Sequence, residues 1–546
     1  MISREDNGQM KKIEELVLGF SDAENYKRRE NKDLFNNLFI QNENLDKLCQ
    51  PSMTFLVGDK GMGKTAYSVF MVNNAHKNNI STLRYIRETE YQKFITLKNE
   101  KHLDLSDYAS IWKVIIYLLL AEDIYESEGG VSFFKPFTKF QALHEAIQEY
   151  YQHAFSPEIQ HALQFIRESK FAAELLAKHA KASTEQKDSI TFSETRFQTN
   201  LLYIQKNFES ALSSLKLKKS HILFIDGIDI RPSSIPYNDY LECIKGLANA
   251  VWEINNDFFS KIKDSPGRMR TVLLVRPDIF ASLGLQNQNT KIRDNSVLLD
   301  WSTTYRDYRT SELFAVADKV LAYQQQHQTE LHKGDAWDYY FPWDTPSDER
   351  RSNEKPTSFI SFLRFALYRP RDIITMLTML QERFISESRD KSRAFTLADF
   401  DDSTFRRSYA DYLLGEVKDQ LSFYYSDKDY ENFLLFFKFL DGKNKFKYRE
   451  FLKAYDTHSR HLSSAKLPQP KFMSSAEEFL QFLYELNVIS YLETTEDKQK
   501  FIHWCFKDRT YSNISPKIKV DEEYEIFYGM AKALNTGKRF ETKRKS

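Results

Sequence analysis

Gly58-Asp59-Lys60-Gly61-Met62-Gly63-Lys64-Thr65 satisfies the pattern G-x-x-x-x-G-K-[ST] in full. Each residue type has a physical use at that spacing. Glycine lets the backbone take positive φ and approach a ligand closely. Successive backbone N–H groups, with the positive end of a following helix, then face anionic oxygens. Lys64 is placed to reach the β- and γ-phosphates of a nucleotide, and the Thr65 hydroxyl to coordinate Mg²⁺. The residues around such a ligand would be Gly58, Lys60, Gly61, Met62, Gly63, Lys64, Thr65 and Ala66.

A second segment fits the same chemistry. In "SHILFIDGIDIRP" four apolar residues, Ile222 to Ile225, precede Asp226, which reads as a buried strand ending in a carboxylate. Ligands of parallel α/β sheets sit at the carboxyl ends of the strands. Asp226 would there hold Mg²⁺ through water. Asp229, three residues on, is a candidate to polarise an attacking water, the alternative being a loop carboxylate that caps the next helix.

The elements that must carry these residues follow from pattern. "MTFLV" before the loop is a five-residue buried-strand run, and "AYSVFMVNNAHK" after it continues in helical period. "ISTLRYIRE" gives a second strand and "MRTVLLVRPDIF" a further one, ending in Arg276. "TKIRDNSVLLDW" gives a fifth, with Arg293 just before it. The helix "TSELFAVADKVLAYQQQ" follows, and then "LYRPRDIITMLTMLQERF". Pro370 and Asp372 are ordinary helix-start chemistry, which leaves the arginines on either side of the proline, Arg369 and Arg371, without an explanation.

This order resembles the AAA+ and STAND ATPases, particularly their origin-recognition-like branch. The wording "FIDGID", "VRPDIF", "LDW" and "RPRDII", with the leader "LGFSDAENYKRRENKDLFNNLFI", is similar to a family of bacterial P-loop ATPases labelled FunZ-like. The resemblance implies a three-layer α/β P-loop NTPase with a parallel sheet, a helical lid, and ATP with Mg²⁺ as cofactors. By position it implies Arg276 as a polar sensor on the fourth strand, Arg293 as a trans-acting finger, and Arg371 as a second sensor on the lid. Arg276 has the alternative of pairing with Asp278, and Arg293 that of a solvated side chain, since a finger needs an oligomer. One departure stands out. Many AAA+ proteins carry Asp-Glu where this chain has Asp226-Gly227, which argues for slow turnover.

Three further regions complete the reading. "KPFTKFQALHEAIQEYYQHAF" and "SPEIQHALQFIRESKFAAELLAKHAKA" look like a helical pair inserted at about 130–185, with Ile159, Leu163, Ile166 and Leu176 as one apolar stripe. "GDAWDYYFPWDTPSDERRSNEKPT" reads as a surface loop within the lid. From about Asp429, three helices and the strands "VISYLE" and "KFIHWCF" are the order of a winged helix-turn-helix. The expected division is a leader over 1–50, a nucleotide core over 51–305, a lid over 306–425, and a winged helix with a basic tail over 426–546.

Composition bounds the partners. Lys plus Arg and Asp plus Glu number 77 each, so no global basic field draws nucleic acid. The third helix of the C-terminal region carries Glu477, Glu478 and Glu485 and no Lys or Arg, which beside phosphates is repulsive. A protein-interaction role for that region, with a homo-oligomer or a partner protein, is therefore preferred over DNA. A DNA-binding protein of initiator or loader type and an ATP-binding scaffold with little turnover are the alternatives. Glycine (16) and proline (14) are together about 5% of the 546 residues, which argues for long regular elements. The three cysteines form no CxxC, so structural zinc and a disulfide framework are not expected. The start is too charged for a secretory signal, and "WKVIIYLLLAEDI" falls short of the ~20 residues that span a bilayer. A cytoplasmic protein with no membrane contact is expected.

Overall fold

Short apolar runs without alternation, such as "HILFI" and "TVLLV", suit strands covered on both faces, and this is where they lie. The computed structural model describes residues 10–86, 105–129, 194–263, 265–326, 331–346, 355–387 and 394–537. The expected helical pair at about 130–185 lies outside them. The chain divides into two units: Asn42–Val57 with Tyr67–Leu298, and Met1–Gln41 with Gly58–Ala66 and Leu299–Ser546.

The first unit is α/β. Its sheet has five parallel strands, β1 (Phe55–Val57), β2 (Asn79–Tyr85), β3 (Ser220–Asp226), β4 (Met269–Val275) and β5 (Ser296–Leu298), in the order β2-β3-β4-β1-β5. All of β1 and β4, and β3 after its first residue, are buried. The edge strand β2 alternates between buried and half-buried positions, as a strand with one neighbour does. Register aligns the carboxyl ends: Val57 pairs with Val275, Val57 with Leu298, and Ile225 with Leu273. The helices Leu105–Gly129 and Tyr237–Glu253 cross closely. A Cβ on Gly246 would stand 2.5 Å from Tyr108 Cβ, so only glycine permits the approach, and Trp112 Nε1 donates to the Cys243 carbonyl at 3.1 Å beside it.

The second unit is helical around an aromatic core, followed by a small sheet. The segment 334–357, read from sequence as a surface loop, instead contains the helix Asp335–Tyr340, with Trp337, Tyr340 and Phe341 fully buried. Asp318, on the helix Glu312–Ala322, accepts from Gly334 N (2.8 Å) and Trp337 N (2.9 Å) and so satisfies the start of this six-residue helix. Trp337 stacks on Phe341 at 4.4 Å and meets Phe359 and Phe362 edge-on at 4.9 Å. A periodicity window cannot find a helix this short; its cap and its aromatic partners specify it.

The leader is bound to the same unit. Gln381 donates to the carbonyls of Ile13 and Leu16 at 2.7 Å, and Tyr340 to that of Lys11 at 2.8 Å. Toward the C-terminus, the helices Asp427–Phe436, Tyr448–Ser464 and Ala476–Glu485 precede the antiparallel hairpin β7 (Ile489–Thr494) and β8 (Lys500–His503). Two strands absent from the sequence reading, β6 (Lys445–Lys447) and β9 (Glu523–Ile526), extend it to the order β6-β9-β7-β8. Among the described residues no helix is long and apolar enough to cross a membrane, and no cluster of His, Cys, Asp and Glu is arranged to hold a metal.

Candidate functional site

Two of the three glycines in the loop after β1 take the positive φ expected of them, and Gly58 does not. Gly61 and Gly63 lie at φ +85° and +97°, where side chains other than glycine's are strained. The turn closes through Met62 N donating to the Asp59 carbonyl at 3.2 Å, and Trp301 Nε1 donates to the Met62 carbonyl at 2.9 Å. The helix Lys64–Asn73 starts at once. Lys64 is buried, and its Nζ donates to the carbonyls of Gly58 (2.8 Å) and Asp59 (3.3 Å), so the loop curls around its own ammonium. The amides, the ammonium and the Thr65 hydroxyl are the donor set and hard oxygen ligand that a magnesium-bound polyphosphate needs.

At the carboxyl edge of the sheet, Asp226 ends β3 and is buried. Its Oδ1 accepts from Gly227 N at 2.8 Å. Glycine is needed at position 227: its φ is +88°, and a Cβ there would stand 2.9 Å from the Ile86 carbonyl oxygen. No larger residue fits without moving the β2 end. Asp229 is half-buried in the following turn. It does not cap the next helix, whose N-cap is Pro236 with no side-chain cap bond.

Arg276 follows β4 as the N-cap of the helix Pro277–Ser282 and is 2% exposed. Its Nε and Nη2 donate to the two oxygens of Asp278 at 3.0 and 2.6 Å, the pairing given above as the alternative. Arg293 lies on the helix Gln288–Asn295 with a side chain 69% exposed, its Nε on Asp294 at 3.0 Å.

The arginines flanking Pro370 meet the loop within one unit. Arg369 caps the helix Pro370–Ser386 and is buried, with Nε and Nη2 on Asp372 at 2.9 and 2.6 Å and Nη1 on the Lys60 carbonyl at 3.0 Å. Burial opposes its charge, but Asp372, Tyr412 and Glu416 outweigh this and hold the guanidinium pKa above its ordinary range. Arg371 packs on the loop backbone: a Cβ on Gly61 would be 3.2 Å from Arg371 Cβ. Its Nε donates to the Ser21 carbonyl at 3.1 Å, and its Nη1 lies 3.6 Å from Glu416.

Sequence reasoning misses three contributors, Arg509, Glu416 and Asp419. Arg509 pairs with Asp59, and Glu416 and Asp419, on the helix Ser403–Ser422, pair with Lys60. The only signal is that the loop's first two variable positions are charged.

No protein-family model matches the chain, and no curated protein matches it. Among solved structures it is similar to the Aeropyrum pernix ORC1 protein, determined in complex with DNA, at 13% identity over 90% of this chain and 91% of that chain. The TM-score of that overlap is 0.29.

Proposed function

We propose that this chain is a Mg²⁺-dependent ATP-binding and hydrolysing switch of the AAA+/STAND type, with slow turnover. The observation that carries the reading is the complete phosphate-loop pattern following a buried strand of a parallel sheet, with Gly61 and Gly63 in left-handed backbone. Lys64 would serve the β- and γ-phosphates, and Thr65 and Asp226 the magnesium. Asp229 would orient the attacking water, and Arg276 would act as the polar sensor once Asp278 yields it. Arg371 would read the γ-phosphate from the lid, so that hydrolysis changes the lid angle. Arg293, exposed, would serve a neighbouring subunit or partner protein.

The helices from Glu312 to Ser422 would form the lid, and the region from Asp427 a winged helix that binds protein. Its acidic third helix disfavours duplex DNA. The FunZ-like resemblance supports a role for such a switch in bacterial stress response or anti-phage defence. The test is phosphate release from Mg-ATP by the full chain. Lys64→Ala and Asp226→Ala should abolish it, and equal release by wild type and Lys64→Ala protein would end this reading.

A further inference from the structure

The variable positions of a phosphate loop have no fixed chemistry, because the bound phosphates are held by backbone N–H groups and the lysine. Here the first two such positions are occupied by opposite charges, and both are engaged by residues far along the chain. Arg509 Nη1 donates to both oxygens of Asp59, at 2.6 and 2.5 Å, across 450 residues of sequence. Lys60 Nζ lies 3.2 Å from Glu416 and is also bonded to Asp419. The Lys60 carbonyl accepts from Arg369, whose Nη1 is 3.7 Å from Glu416 as well.

Apart from Asp419, whose side chain is 62% exposed, these charges are not loose surface pairs. The Arg509 and Arg369 side chains are 6% and 7% exposed, and those of Asp59 and Glu416 are 15% and 13%. Removing one member of so enclosed a set takes a charge-assisted bond from a group that water reaches poorly. A small cavity lined by Asp59, Lys60, Arg369, Glu416, Asn487 and Phe506 lies among them, so four separate segments beyond residue 360 meet the loop at one place. The segment bearing Arg509 is itself fixed. Phe506 N donates to Asn487 Oδ1 at 2.9 Å, and Lys507 Nζ donates to the Tyr368 hydroxyl at 3.0 Å from a position over that ring.

We infer that Arg509 and Glu416 are positioning residues for the phosphate loop: through Asp59 and Lys60 they hold its backbone in the shape that binds a triphosphate. The inference rests on the nucleotide-binding reading above and adds that the C-terminal segment sets the loop's affinity. Coupling is reciprocal, so anything that pulls residues 505–509 away weakens nucleotide binding, and a bound nucleotide holds that segment in place.

The experiment uses the full chain, a fluorescent ATP analogue with Mg²⁺, and hydrogen exchange of amides 58–63 without nucleotide. Arg509→Ala should raise the Kd about 5- to 150-fold, the range of an ordinary coupling between sites, and should speed exchange in the loop. Asp59→Ala should do the same, and the double variant should be no worse than either single, because the two residues act as one pair. Arg509→Lys, which keeps the charge, should recover most of the affinity. Glu416→Gln offers a second route should Arg509→Ala fail to fold, and should weaken binding and speed exchange in the same way. Unchanged affinity and exchange in the Arg509 and Glu416 variants, or single effects that multiply in the double, would overturn the inference while leaving nucleotide binding standing. If the wild type binds no analogue yet loop exchange still quickens in Arg509→Ala, the nucleotide reading falls and the positioning of the loop survives.

Discussion

Two helix starts, one in each unit, use almost the same words. Arg276-Pro277-Asp278 and Arg369-Pro370-Arg371-Asp372 each put an extended arginine at the N-cap, a proline at the first helical position and an aspartate in the first turn. The residue before proline is driven to extended backbone, which turns the arginine fork back over the helix start. Both forks then close on the aspartate through Nε and Nη2. Beyond this the two differ. Asp278 keeps a side chain 16% exposed, whereas Asp372 is wholly buried and also accepts from Leu367 N (2.9 Å) and the Tyr412 hydroxyl (3.2 Å). Arg369 spends its remaining nitrogen, Nη1, on the phosphate loop. One local pattern thus makes a helix start in both places, and its surroundings turn one of them into a support for the loop.

The contrast is most exposed to test at the aspartates. Asp372→Ala would strand a buried guanidinium and two further donors, and should cost about 3–5 kcal/mol. Asp278→Ala also strands a buried guanidinium, but the carboxylate it removes is 16% exposed and water can take its place, so it should cost about 1.5–3 kcal/mol, the value of hydrogen bonds to a charged group. Denaturant midpoints read by near-ultraviolet circular dichroism decide the matter. Equal losses would mean that the two sites differ in surroundings but not in energy.

What can be read from the chain and what cannot divides along the same line. β1, β3 and β4 are visible because strands buried on both faces must be apolar throughout, and the loop because positive φ demands glycine at Gly61 and Gly63. The Arg369–Pro370 pair is visible as a helix start, whereas Arg276–Pro277 reads from sequence only as the end of a strand, and the helix Pro277–Ser282 that follows goes unread. Arg369 stands out as unexplained, but its target, the Lys60 carbonyl, lies 309 residues away, and nothing local points to it. Arg509 gives no signal at all. The Asp335–Tyr340 helix is hidden by its length, although β9 is available as the alternation Glu523-Tyr524-Glu525-Ile526, which is exposed at the first position and buried at the second and fourth. Local periodicity is written in adjacent residues, whereas long-range ion pairs are written only in the folded chain.

A buried base without a carboxylate partner contrasts with both arginines. His458, on the helix Tyr448–Ser464, is fully buried between Phe436 and Phe439, and neither ring nitrogen has a hydrogen-bond partner. Burial, with His461 nearby, pushes its pKa down to about 4. The native state therefore binds fewer protons than the unfolded state between pH 6.5 and 4, so stability is full above the unfolded value and falls as acid is added through that window. The loss should approach about 3 kcal/mol near pH 4, because each tenfold drop in proton affinity is worth roughly 1.4 kcal/mol. His458→Phe should flatten that part of the stability–pH curve, and an unchanged slope would show that the imidazole is not its source.

The smallest effect on stability is expected at Arg371, the member of the pair of flanking arginines that faces the loop without a bidentate partner. Its side chain is 24% exposed, 3.6 Å from Glu416 and bonded to the Ser21 carbonyl, a set of contacts worth no more than about 1 kcal/mol. Arg371→Ala should therefore melt almost with the wild type, in contrast to the Asp372 variant one residue away. Its effect should appear in ligand preference instead. A lid arginine that reads the last phosphate contributes to ATP and not to ADP, so its removal should lower ATP affinity by about tenfold, the equivalent of one charge-assisted hydrogen bond, and leave ADP affinity within error. Titrating both nucleotides into both proteins separates the cases. An equal loss for ATP and ADP would make Arg371 a second support of the loop, like Arg369, and would erase the distinction between the arginine before the proline and the one after it.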